Sequence, residues 1–180
     1  MDISQVKTAV KIGDFTLRNE DSPNHISIKY ISSNEDLNSN LPRVYIITSN
    51  GEIKKIGGSS AIGGIKATMN FYINARTGSP GPSRFIIHEL IRRELEQNKK
   101  VELFVIASSS IKARVPGLFG YHIIDILSSK EMEKVCKDDF YQSEKRYPDW
   151  NFQENNEPYH SRYKDIYNEY LQYHKHRISK

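Results

Sequence analysis

Four side chains set the chemical reading of this sequence: a phenol at Tyr45, an amine at Lys55, a carboxylate at Glu133 and an amide at Asn151. Between the first two stands Asn50-Gly51, a dipeptide that favours a two-residue hairpin because both residues tolerate positive φ. Arg43-Val44-Tyr45-Ile46-Ile47 and Glu52-Ile53-Lys54-Lys55-Ile56-Gly57 therefore read as paired strands, which brings the phenol and the amine onto one platform. Hydrolysing a phosphodiester requires an activated water, a cation for the developing charge and support for the leaving oxygen. One divalent metal can serve the last two needs. Magnesium is usually held by only one or two protein carboxylates, so a single helical glutamate is an adequate ligand. The set as a whole can hydrolyse a phosphodiester.

The elements that must position these groups follow from the pattern. Two strands are expected near Ala9 to Leu17 and His25 to Ile31, with a polar connector from Ser32 to Asn40. Val44 to Thr48 is apolar almost throughout, as a central strand should be. Gly57, Gly58, Gly63 and Gly64 surround a flexible turn; no Walker lysine and no dinucleotide fingerprint accompany them. A short helix is expected from Ile65 to Asn74. A second runs from Arg84 to about Gln97, with Ser83 as its N-cap and apolar Ile87, Leu90, Ile91 and Leu95 at three- and four-residue steps. Val101 to Ala107 reads as a strand, Ser108 to Gly120 as a loop, and Tyr121 to Leu127 as mixed. Ser128 opens a third helix through a capping box to Glu131, running to about Phe140. The order predicts an α+β domain, a small antiparallel or mixed sheet with a β-hairpin, flanked by helices. Three regions are expected: an N-terminal β arm over 1–40, a catalytic core over 41–155, and a basic, Tyr-rich C-terminal helix over 156–180.

Composition narrows the classes. At 180 residues there is room for one domain with a proper core. No apolar run is long enough to span a bilayer, and Met1 to Gln5 lacks the opening of a signal peptide, so a cytoplasmic protein is expected. The single cysteine, Cys136, excludes an internal disulfide framework and a cysteine-based zinc site. His88-Glu89 lacks the second histidine, at helical spacing, of a zincin. A net charge of +4 suits a polyanionic partner without demanding one.

In order and spacing these residues resemble the GIY-YIG endonuclease superfamily. Val44-Tyr45-Ile46 stands for its first motif and Lys55-Ile56-Gly57 for its second, where lysine replaces tyrosine as in the short type II restriction endonucleases of that class. Met69-Asn70-Phe71-Tyr72 resembles the helix that follows the motifs, and Ser129-Lys130-Glu131-Met132-Glu133 the glutamate helix. Asp149-Trp150-Asn151-Phe152-Gln153 is similar to the Pro-Trp-Asn-Ile-Gln ending of a phage member. The likeness covers residues 41 to 153. One position departs from it: Thr68 stands where the family carries a catalytic arginine.

The resemblance implies a sequence-specific double-stranded DNA endonuclease using Mg2+ or Mn2+, with a phage or mobile-element enzyme of the same chemistry as its nearest alternative. It implies Glu133 as the metal ligand and Tyr45 as general base. Free tyrosine titrates near ~10, so a neighbouring ammonium at Lys55 would be needed to favour the phenolate; the same lysine is alternatively placed to orient the water. Tyr72 is expected at the nucleophile or phosphate, Asn151 on Glu133 or Tyr45, and Gly57 where the phosphate backbone comes close. Lys66, Arg76 and Arg84 are candidates for the missing cation, Arg76 and Arg84 also for general phosphate contact. The tail past Glu154 lies outside the likeness: Tyr163, Tyr167, Tyr170 and Tyr173 read as docking its helix, and the alternative reading sets Lys164, Lys175 and Arg177 on DNA phosphates. One site per chain argues for a homodimer. The rival reading from another class is a non-catalytic DNA-binding relic, favoured by Thr68; a third is an interaction domain whose motif order is fortuitous.

Overall fold

A computed structural model describes residues 1–19, 21–108, 112–125, 129–156 and 159–178. Its centre is a five-stranded antiparallel sheet in the order β2-β1-β5-β3-β4, made of β1 (Val10–Leu17), β2 (Ile26–Tyr30), β3 (Arg43–Ser49), β4 (Glu52–Ser59) and β5 (Val101–Ala107). The 1–40 stretch expected as an arm thus supplies two strands of this sheet, with β1 paired to β5. Asn50 and Gly51 adopt φ of 47° and 84°, the two positive values that the β3–β4 turn requires.

β3 is buried at every position because it is covered on both faces. One face carries Tyr45 and Ile47, which join the main core under α2 (Gly64–Ile73) and α3 (Pro82–Glu96). The other carries Val44 and Ile46, which with Ile53, Ile56 and Phe140 form a second core under α4 (Ser129–Glu144). The tail forms α5 (Tyr159–Arg162) and α6 (Lys164–Ile178), and α6 docks on α3. Tyr170 and Tyr173 pack against Phe85 with tilted rings, their centroids 5.6 and 5.5 Å away.

Three expectations are corrected. Ser32 to Asn40 contains a short helix, α1 (Asn34–Asn38), capped by Ser33, whose hydroxyl accepts from the Asp36 amide. Ser83 lies inside α3 rather than capping it: Gly81 is the cap residue, and Pro82 starts the helix because its fixed φ and missing N–H suit the first turn. The supposed loop at 108–120 holds a strand. Lys112–Gly117 (β6) and Gly120–Asp125 (β7) form a separate hairpin joined by Leu118-Phe119. Ser128, expected to open α4, lies outside the described residues.

Candidate active site

β4 forms one edge of the sheet, and its outer side is clipped rather than bare. The Ile53 amide donates to the Met1 carbonyl at 3.1 Å, and the Trp150 amide to the Lys54 carbonyl at 2.8 Å. Asn151, fully buried, closes the clip: its Oδ1 accepts from the Ile56 amide and its Nδ2 donates to the Ile56 carbonyl, both at 2.9 Å. The side-chain amide thus substitutes for a neighbouring strand. This corrects the expected bonds from Asn151 to Glu133 or Tyr45, since the amide is committed to β4, the strand that carries Lys55.

On the α2 side of that strand, Tyr45 faces Gly57 in the β3–β4 register and Ile47 faces Lys55. A Cβ at Gly57 would lie 2.3 Å from the Tyr45 ring. Gly57 therefore makes room for the phenol. The Tyr45 and Tyr72 hydroxyls are 2.7 Å apart in a buried pair. Burial, then the neighbouring Tyr72, hold Tyr45 well above the ordinary tyrosine range; Glu133 adds to this and Arg84 opposes it. Burial likewise raises Tyr72, against its hydrogen bond with Tyr45 and the charge of Arg84.

Lys55 behaves in the opposite sense. Burial lowers its ammonium to about 8; Glu154 opposes the fall, Lys137 deepens it, and Glu133 opposes it weakly. The expected arrangement, an ammonium that makes Tyr45 acidic, is therefore corrected. In this pair the amine loses its proton first, and the phenol keeps its own.

Glu133 arrives from the other side of the sheet. A Cβ at Gly58 would meet its Oε2 at 2.6 Å and the Ser129 carbonyl at 2.7 Å, so a residue without a side chain lets α4 lie against the end of β4. Groups from both faces thereby reach one cleft of about 260 Å³, where Lys55, Tyr72, Arg84, Glu133, Lys137 and Glu154 meet, with Trp150 and Gln153 in its wall. Lys137 pairs with both Glu133 and Glu154. A roomier pocket of about 360 Å³, between α1 and the far end of the sheet, contains none of these groups.

Of the three cations weighed for the missing arginine, the cleft holds Arg84, stacked 4.2 Å over the Phe71 ring and exposed. Arg76 is committed to Glu89 at 2.7 Å. Lys66 donates to Asn34 at 2.7 Å and lies over the Tyr30 ring, away from the cleft. Thr68 is buried, its hydroxyl paired with Ser59. Lys164, Lys175 and Arg177 lie on α6, outside the cleft, with Arg177 reaching the Thr77 carbonyl at 3.5 Å. Lys137 and Glu154 were not anticipated. The first had a signal, one helical turn past Glu133; the second had only its place beside Gln153.

Among the described residues no group of three or more His, Cys, Asp or Glu side chains converges as a metal cage. The donor set present still suits a hard divalent ion, because two carboxylates already share one cationic centre, the Lys137 ammonium.

No protein-family model matches this chain, and no curated protein matches it. Among solved structures, a mutant of bacteriophage T4 EndoII is similar at 18% identity and a TM-score of 0.51, over 84% of this chain and 98% of that one. Restriction endonuclease HPY188I in complex with product DNA aligns at 18% identity with a TM-score of 0.48, over 82% of this chain and 84% of that one. The first likeness establishes a shared fold, the antiparallel sheet with flanking helices.

Proposed function

We propose that this chain is a metal-dependent endonuclease that cleaves double-stranded DNA at specific sequences, in the manner of a type II restriction enzyme. The observation that carries the reading is the convergence of a proton-releasing lysine, a cation and a partly exposed carboxylate at one end of β4. Similarity in fold to a phage EndoII agrees with it.

Lys55, as a neutral amine, takes the proton from the attacking water; near neutral pH an ordinary lysine at 10.5 stays protonated, whereas one lowered to about 8 is partly free. Tyr72, which lines the cleft, holds the water in line, and the buried Tyr45 hydroxyl positions it from 2.7 Å behind; both stay neutral. Arg84 stands in for the family's arginine and offsets charge on the phosphoryl oxygens. Glu133, with Glu154 across Lys137, would hold magnesium or manganese. Such an ion supplies Lewis-acid stabilisation of the phosphate and of the leaving oxygen. Two chains, each with one cleft, would cut the two strands as a homodimer.

A second reading, a DNA-binding relic, draws on the burial of Thr68 at the arginine position. Incubating the purified chain with plasmid, with and without magnesium, separates the two. Discrete magnesium-dependent fragments are expected; salt-sensitive binding without cutting would leave the relic standing.

A further inference from the structure

The domain leaves the side chains of the β6–β7 hairpin almost wholly outside, none of those described being buried. Its tip residues Leu118 and Phe119 are 94% and 99% exposed, and Tyr121 and Ile123 are 64% and 73% exposed. Exposed apolar surface of this kind marks a contact surface.

The charge pattern indicates what it contacts. From Lys112 to Ile124 there is no acidic residue, while Lys112, Arg114 and His122 are present. The Arg114 guanidinium lies 4.3 Å over the Tyr121 ring, which stiffens the ribbon and keeps the cation on its surface. Asp125, the one acidic residue of the two strands, stands at the base opposite Lys112, so the ribbon keeps a net positive charge toward its tip, which a polyanion attracts and a second copy of a chain carrying +4 does not. Two-stranded ribbons fit DNA grooves, and side chains such as Leu and Phe serve as wedges that unstack a base step. The chain also runs from β7 into α4, the helix that carries Glu133.

We infer that the β6–β7 hairpin is a DNA-gripping arm that sets Lys112 and Arg114 on phosphates and drives Leu118 and Phe119 between adjacent base pairs. The inference rests on the DNA-cleaving reading for its substrate, and it adds a distorting contact remote from the chemistry.

The test uses the full chain carrying Glu133→Ala, so that binding is read without cutting. Relaxed closed-circular plasmid is incubated with it and a topoisomerase, and the linking number is measured after the protein is removed. Insertion unwinds the duplex, so a dose-dependent fall in linking number is expected. Adding Leu118→Ser and Phe119→Ser should abolish that fall and weaken binding about ten- to hundredfold. Lys112→Ala and Arg114→Ala should each reduce the salt slope of binding by about 1. These positions lie in solvent, so the variants keep their fold, checked by thermal melting.

Unwinding and affinity left unchanged by the tip variant would overturn the inference even if the native cleft cuts DNA. Loss of binding accompanied by dissociation of a dimer, seen by light scattering, would also overturn it and assign the tip to a second copy. If the unsubstituted chain unwinds DNA but never cuts it, the nuclease reading fails and the arm stands.

Discussion

Two clusters of charge sit beneath or beside the main core, and they are built in opposite ways. On α3, Glu89 is fully buried and accepts from Arg76 at 2.7 Å and from Arg92 at 2.8 Å. Burial raises its carboxyl, but the two guanidinium groups outweigh that and leave it below the usual range. Beside it His88 is held neutral, lowered to about 4 mainly by burial, and its Nδ1–H donates to the Tyr72 carbonyl at 2.8 Å. Each of these contacts joins parts of the scaffold. At the end of β4, by contrast, Lys55 has its proton loosened, Tyr45 has its own tightened, and Arg84 stands exposed over the Phe71 ring. A buried charge with matched partners holds the fold. Mismatched ionisable groups at a cleft are where chemistry can be done.

That contrast can be broken or sharpened by substitution. The largest effect is expected from Glu133→Ala, which should lower cleavage by about a thousandfold or more, ~4 kcal/mol of barrier, with DNA binding retained in gel-shift assays. Glu89→Gln should do the reverse. Stability should fall by about 3 kcal/mol in urea titration, because Arg76 loses its counter-charge and Arg92 is left with Glu96 alone, while the folded fraction still cuts. If Glu89→Gln abolished turnover at full stability, the division between scaffold and cleft would collapse.

Lys55→Arg should cost about a hundredfold in rate, since a guanidinium keeps the charge but cannot release a proton. The native pH–rate profile should climb as pH rises through about 8 and then level off, and this limb should vanish in the variant. The same depression has a stability consequence of defined sign. Between about 8 and the free-lysine value of 10.5 the unfolded chain binds more protons, so stability should rise with pH across that window through this group. Asn151→Ala should destabilise by about 2 kcal/mol, read by urea titration, by leaving the buried Ile56 amide and carbonyl without partners. The smallest effect belongs to Tyr45→Phe, about tenfold in rate, because its phenol positions a water and does not take its proton. A loss there as large as that of Lys55→Arg would return the base to the tyrosine.

Much of the frame was legible because local chemistry dictated it. Asn50-Gly51 can hardly do other than turn, and β3 and β5 are marked by apolar runs flanked by turn residues. Helix α4 showed its apolar stripe in Met132, Val135, Cys136 and Phe140, and of these Val135 turns out to face solvent while the others join the second core. The β6–β7 hairpin escaped because its two-residue turn is Leu118-Phe119, without the Asn or Gly that announces such turns, and because neither face is cored. Ser83 misled for a related reason: a good capping residue stood where Pro82 had already begun the helix.

The sequence by itself determined the types and order of the reactive groups: a phenol and an amine on adjacent strands, a glutamate on a later helix, and an asparagine beyond it. Which groups meet was decided only in three dimensions. Glycines at 57 and 58 let a tyrosine ring and a helix close in on β4 from its two faces, and Asn151 is spent on holding that strand. Arg84 reaches the cleft although Lys66 is nearer to the motifs in sequence. The protonation order of Tyr45 and Lys55 was also a tertiary outcome. Spacing along a chain fixes which residues are neighbours on an element, whereas burial and the sum of surrounding charges set a pKa, and both depend on elements far apart in sequence.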